Sequence, residues 1–160
     1  MLLRYPEAHR QLVRRLAAVL SPQGRYVARF FCLPEQPESP SQVLDDLLCG
    51  RISHLNILKL RLFAALQESA EQGVAVHDVW TVVHQRAGGD WTGLARSVSW
   101  PMEEFNQLDL YRNSQARYTV LSRHQARTLF EQEGKFRCLG IRVGNYPLAD
   151  RCPVFGFARE

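Results

Sequence analysis

The stretch LSPQGRYVARFF, Leu20 to Phe31, constrains this chain most. Upstream of it, Leu12, Val13, Leu16, Ala17 and Leu20 recur at helical spacing, with Arg10, Arg14 and Arg15 on the other side. That pattern predicts a helix from Pro6 to Leu20. Pro6 needs no N–H at the first helical position, and Glu7 suits the positive end of the dipole. Pro22 and Gly24 fall at the second and fourth positions of a turn. RYVARFF then follows, aromatic and β-branched without clean alternation, and reads as a strand covered on both faces. A strand with a helix on either side of it in sequence indicates an α/β layer architecture.

Beyond the strand, CLPEQPESP is a loop punctuated by Pro34, Pro37 and Pro40. Ser39 reads as an N-cap and Pro40 as the first residue of a helix running to about Leu48, broken by Gly50. A longer helix, Ser53 to Gln72, is apolar around most of its circumference, as in a buried helix or one covering a cleft or partner. AVHDVWTVVHQRA is expected to be helical and to end at Gly88-Gly89. DWTGLARSV and WPMEEFNQLDLYRN follow as short helices, the second started by Pro101. Arg117 to Val120 reads as a short extended segment. Ser122 and Gln125 form an S-x-x-Q capping box for a helix ending near Glu133-Gly134. Two strands, Phe136 to Val143 and Pro153 to Arg159, are joined by a short turn region and should pair antiparallel.

The 160 residues fit one domain. With 46% hydrophobic and 22% charged residues the composition excludes a disordered chain. No apolar run approaches the ~20 residues that span a bilayer, and MLLRYPEAHRQLVRR holds no sustained apolar segment, so a cytoplasmic protein without membrane contact is expected. A net charge of +4 invites a nucleic-acid partner. The basic residues are scattered, however, with Arg14-Arg15 the one adjacent pair, so nucleic acid is not an expected partner.

Motifs for catalysis are absent from the sequence: there is no G-x-S-x-G, H-E-x-x-H or P-loop. Catalytic residues are therefore unassigned. His9, His54, His77, His84 and His124 show no ligand spacing, and no metal site is expected. Cys32, Cys49, Cys138 and Cys152 lie far apart and read as reduced, mostly buried thiols; pairing of their segments would let Cys138 and Cys152 face each other. Asp45-Asp46 reads as a solvated face, and Glu103-Glu104 as a response to the helix dipole. LYRNSQARY, up to Tyr118, is more pointed. Tyr111, Arg112 and Tyr118 are candidates for binding an anionic or planar ligand, against the plainer reading that they pack a helix end.

RQLVRRLAAVLSPQGRYVARFF resembles the helix–turn–strand unit in the second half of class I S-adenosylmethionine-dependent methyltransferases. There an apolar helix ends in a "vLkPGG" turn before the fifth strand; here the turn is Leu20-Ser21-Pro22-Gln23-Gly24, with Gln23 where the first glycine is usual. A helical insertion, then RYTVLSRHQARTLFEQEGKFRCLGIRVG and RCPVFGFAR, resemble the family's following helix, its sixth strand and its antiparallel seventh. The resemblance implies a partial Rossmann-like methyltransferase sheet of about three strands, the last antiparallel. It implies one partial domain over residues 1–160 with a helical insertion over 34–113. S-adenosylmethionine is the implied cofactor, but the family's Gly-rich loop and following acidic residue would precede Pro6, and neither occurs here. No cofactor-binding residue is assigned, and the chain reads as a carboxyl half whose amino half is missing.

Three readings follow. The first is the substrate-side portion of a methyltransferase, inactive alone, in which positioning supplies much of the catalysis. A second polypeptide could complete it, and a small-molecule acceptor would meet Arg29 and Phe30 at the end of the first strand and Tyr111, Arg112 and Tyr118 from the insertion. The second is a non-enzymatic interaction module that associates, with itself or another chain, through an exposed strand Arg25 to Phe31. That reading predicts a sheet ordered first, last, middle. The third, an independent enzyme built on LYRNSQARY, has no nucleophile–base pattern behind it.

Overall fold

The amphipathic segment before the Pro-Gly turn is helix α1 (Glu7–Val19), and RYVAR is strand β1 (Arg25–Arg29). The computed structural model describes residues 7–160, so the expected helix start at Pro6 lies outside the described residues. The remaining elements are α2 (Pro40–Leu48), α3 (Leu55–Leu66), β2 (Val74–Ala75), α4 (Val76–Arg86), α5 (Trp91–Val98), α6 (Met102–Asp109), β3 (Arg117–Tyr118), α7 (Arg123–Gly134), β4 (Phe136–Arg142) and β5 (Val154–Arg159). The chain is thus mixed α/β, with small antiparallel sheets. No helix among the described residues is long and apolar enough to cross a membrane.

The chain divides into two compact units. One comprises residues 7–35, Ser69–Gln72 and Thr119–Glu160; the other comprises Gln36–Glu68 and Gly73–Tyr118. In the first, the sheet order is β1-β5-β4, and β5 runs antiparallel to both neighbours, so β1 and β4 run parallel to each other. This is the expected order, with β1 at an edge. Just past the strand, Cys32 makes a parallel bridge to Leu121, and the Leu33 amide donates to the Leu121 carbonyl at 3.0 Å.

Both helices of this unit cover one sheet face. Val13 of α1 and Ala126, Leu129 and Phe130 of α7 pack with Phe30, Phe136, Phe155 and Phe157, with Leu16, Ala17, Leu20, Tyr26 and Ala28 at the margin. Phe130 stacks on Phe157 at 4.3 Å and meets Phe30 edge-on at 5.7 Å. Full burial of each such ring is worth about 2–3 kcal/mol, so the aromatic cluster anchors the layer. Among the described residues no helix of this unit lies on the opposite sheet face, and β1 is exposed there, which corrects the expectation of a strand covered on both sides. Arg25, Val27 and Arg29 alternate outward, and Val27 is 67% exposed. The apolar look of RYVARFF comes from Phe30 and Phe31, which lie beyond the ladder and are buried.

At the turn, the Gly24 amide donates to the Ser21 carbonyl at 2.8 Å, and Gln23 takes φ 63°. That left-handed backbone, usual at the third position of a type II turn, favours glycine. At the other end of the unit the S-x-x-Q box forms as expected. Ser122 Oγ accepts from the Gln125 amide at 3.0 Å, and the Gln125 side chain accepts from the Ser122 amide at 2.9 Å.

The second unit is helical, with β2 and β3 as a two-residue ladder. Its α2 opens on a capping box between Ser39 and Gln42. Every apolar residue of α3 is buried or half-buried, as its all-round hydrophobicity predicts. The helix stops at Leu66 rather than Gln72. Ser69 Oγ accepts from the Gln72 amide at 3.2 Å, and Thr119 donates to the Ala70 carbonyl at 3.0 Å, so those backbone groups are used outside a helix. Asp45-Asp46 is not simply a solvated face. Asp45 pairs with Arg86 at 2.6 Å, and Asp46 accepts from both Arg51 and Arg61.

Candidate functional site

The five candidate residues fall into both units. In the sheet unit, Arg29 ends β1 on the face away from α1 and α7, with its guanidinium 5.3 Å from the Tyr146 ring centroid. Phe30 is 2% exposed and belongs to the aromatic core, against Phe130 and Phe155. It holds the helix layer on the sheet and presents no surface to a ligand.

In the helical unit, Tyr111 and Tyr118 both pack on Phe63, with ring centroids 6.5 and 5.9 Å away. Burial raises the Tyr111 hydroxyl above its ordinary range, with a smaller contribution from Tyr118. Burial also lowers Lys59, whose ammonium lies 5.6 Å from the Tyr111 centroid. These tyrosines therefore act largely as packing residues, the plainer of the two sequence readings.

Arg112 is different. It is exposed, and its guanidinium lies 5.5 Å from the Trp80 ring centroid. It lines a polar cavity of about 300 Å³ between the head of α4 (Ala75, His77, Asp78) and residues 112–117. The geometry is built locally. Ala75 faces Arg117 in the β2–β3 ladder, and the Val76 amide donates to the Ala116 carbonyl at 2.9 Å, which ties the loop to the helix head. Arg117 also donates to the Gly73 carbonyl at 3.1 Å. The N-cap of α4 is Ala75, whose side chain has no oxygen to accept from the first-turn amides.

The floor beside this cavity is an aromatic stack. Trp80 lies between His77 (5.6 Å) and His84 (4.3 Å), both near-parallel to it, and its indole N–H donates to Asp109 at 3.0 Å. The hydroxyl of Thr81 donates to the His77 carbonyl at 3.0 Å, so toward His77 Nε2 at 3.3 Å its oxygen acts as acceptor. That assigns the His77 proton to Nε2 and leaves Nδ1, a buried atom, as an acceptor with no partner among the described residues. Sequence reasoning singled out Arg112 but missed His77, Asp78 and Arg117 as its neighbours. The one available signal was that Arg117 lies within LYRNSQARY.

Among the described residues no three His, Cys, Asp or Glu side chains gather to hold a metal. The four cysteines are free; Cys138 pairs in register with Phe157, so it does not face Cys152. Gly88 and Gly89 follow helix α4 rather than a strand, with φ 60° and 82°, and form no cofactor loop. No family model, curated protein or solved structure matches this chain.

Proposed function

We propose that this chain is the carboxyl-terminal, acceptor-side portion of a methyltransferase that uses S-adenosylmethionine, and that it is inactive without a cofactor-binding half. The strand arrangement carries the reading. An antiparallel β5 lies between β1 and β4, and α1 and α7, the helices preceding those two strands, lie on the same sheet face. The left-handed Gln23 is a second support, because it occupies the turn position where the family uses glycine. Arg29 in the sheet unit and Arg112 in the helical unit are each separate candidates for ligand contact, and no chemical step is assigned to either. The first test is calorimetry of the 160-residue chain with S-adenosylmethionine, where no binding is expected. Binding at micromolar affinity without a partner would overturn the reading. The second is the intact mass of the native protein from its own cells, expected well above 18.4 kDa or accompanied by a second polypeptide.

The outer edge of β1, which pairs with no strand among the described residues, favours a second reading, a non-enzymatic interaction module that docks a strand. Self-pairing is the weaker form of it. Two copies joined antiparallel about Val27 would set Arg25 of one opposite Arg29 of the other, and like charges directly opposite destabilise a ladder. A strand with acidic residues at those positions suits the edge better. Sedimentation separates the cases: a stable dimer abolished by Val27→Lys, with no response to cofactor, would favour the module over the enzyme portion.

A further inference from the structure

We propose that the cavity at the head of α4 is a binding site for a small oxyanion, the carboxylate or phosphoryl group of a small-molecule ligand. Its volume of about 300 Å³ lies at the lower end of the range for ligand sites. Of the charged side chains that line it, two are guanidinium groups, Arg112 and Arg117, and one is a carboxylate, Asp78. Among the described residues Arg112 forms no ion pair. It is held instead against the face of Trp80, which fixes the group while leaving its donors available. The first turn of α4, which has no side-chain cap, adds the positive end of the helix dipole. A planar fork beside the start of a helix suits a carboxylate or phosphoryl oxygen.

His77, which also lines the cavity, has a buried Nδ1 without a hydrogen-bond partner among the described residues. A buried acceptor without a donor is costly. Asp78 is exposed at the rim and opposes the anion, so its charge sets affinity without holding the fold. The inference stands on the helical unit alone and does not depend on methyl transfer.

The test is amide NMR of the full 160-residue chain titrated with inorganic phosphate and, separately, with acetate, against sodium chloride at matched ionic strength. Saturable shifts at His77 and Asp78 are expected, with dissociation constants in the millimolar range. Arg112→Gln should weaken binding about fivefold or more, and Asp78→Asn should tighten it by about threefold, as loss or gain of one charged contact requires. Arg112 and Asp78 are exposed, so neither variant threatens folding. Response to phosphate alone assigns a phosphoryl group, and response to acetate as well assigns a carboxylate; both support the site. Shifts that do not saturate, or that are unchanged in Arg112→Gln, would overturn it.

Discussion

Replacing Arg61 by methionine is expected to destabilise the helical unit by about 2–3 kcal/mol. Arg61 sits within the otherwise apolar α3, 8% exposed. Its Nη2 lies 2.7 Å from Glu38 and 2.5 Å from Asp46, and its Nε is 3.1 Å from both Glu38 oxygens. Removing one partner of a buried ion pair costs about 3–5 kcal/mol, because the opposite charge stays behind. Two features reduce that figure here. Asp46 keeps Arg51 at 2.7 Å, and the Glu38 and Asp46 side chains are 14% and 24% exposed, so water reaches them.

The pH dependence gives the argument its sharper edge. The hydrogen bond from Arg61, opposed by burial and aided by Arg51, holds the Asp46 carboxyl below the usual carboxylate range. A carboxyl depressed in the folded state contributes stability that is complete above its unfolded value and is lost as pH falls through its folded value. The gap between the parent and Arg61→Met should therefore be full at about pH 7 and narrow below about pH 4. Urea denaturation at both ends of that range measures it. Adding Glu38→Gln and Asp46→Asn to Arg61→Met should recover part of the loss at neutral pH, since no buried charge then lacks its guanidinium. A cost below about 0.5 kcal/mol, or a gap as wide at about pH 3 as at about pH 7, would refute the reasoning.

Three further outcomes are expected. Gln23→Gly should stabilise by about 0.5–1 kcal/mol in chemical denaturation, because relief of left-handed strain at φ 63° exceeds the added freedom of the unfolded chain. Gly134→Ala should destabilise by about 1–3 kcal/mol despite alanine's better helix propensity, since its Cβ would lie 2.5 Å from both Val13 Cγ1 and Phe136 Cδ2; a stabilised variant would mean those side chains yield freely. In thiol labelling at about pH 8, exposed Cys49 should react first, while Cys32, which burial pushes up to about 12, should react only on unfolding.

Much of the local structure was legible in the sequence, because helix caps and turns are built from neighbouring residues. Ser122 and Gln125 lie within one turn of each other, as do Ser21 and Gly24, so the groups that bond are already close in the chain. All-round hydrophobicity foretold the burial of α3, and the resemblance led to the edge position of β1. Of the candidate site, sequence supplied the segment, LYRNSQARY, and the exposed Arg112 within it.

What only the tertiary structure decided depends on groups brought from far along the chain. Whether Ala70 continues a helix depends on Thr119 taking its carbonyl, and whether RYVAR is covered depends on which sheet face α1 and α7 occupy. The same dependence made Phe30 a core residue rather than a ligand contact. It also buried Arg61, because Glu38 and Asp46 meet it there. It set Arg112 and Arg117 beside His77 and the uncapped head of α4. Local signals fix which hydrogen bonds a segment can make with itself. Long-range packing determines which side chains lose water and which charges come to share one cavity.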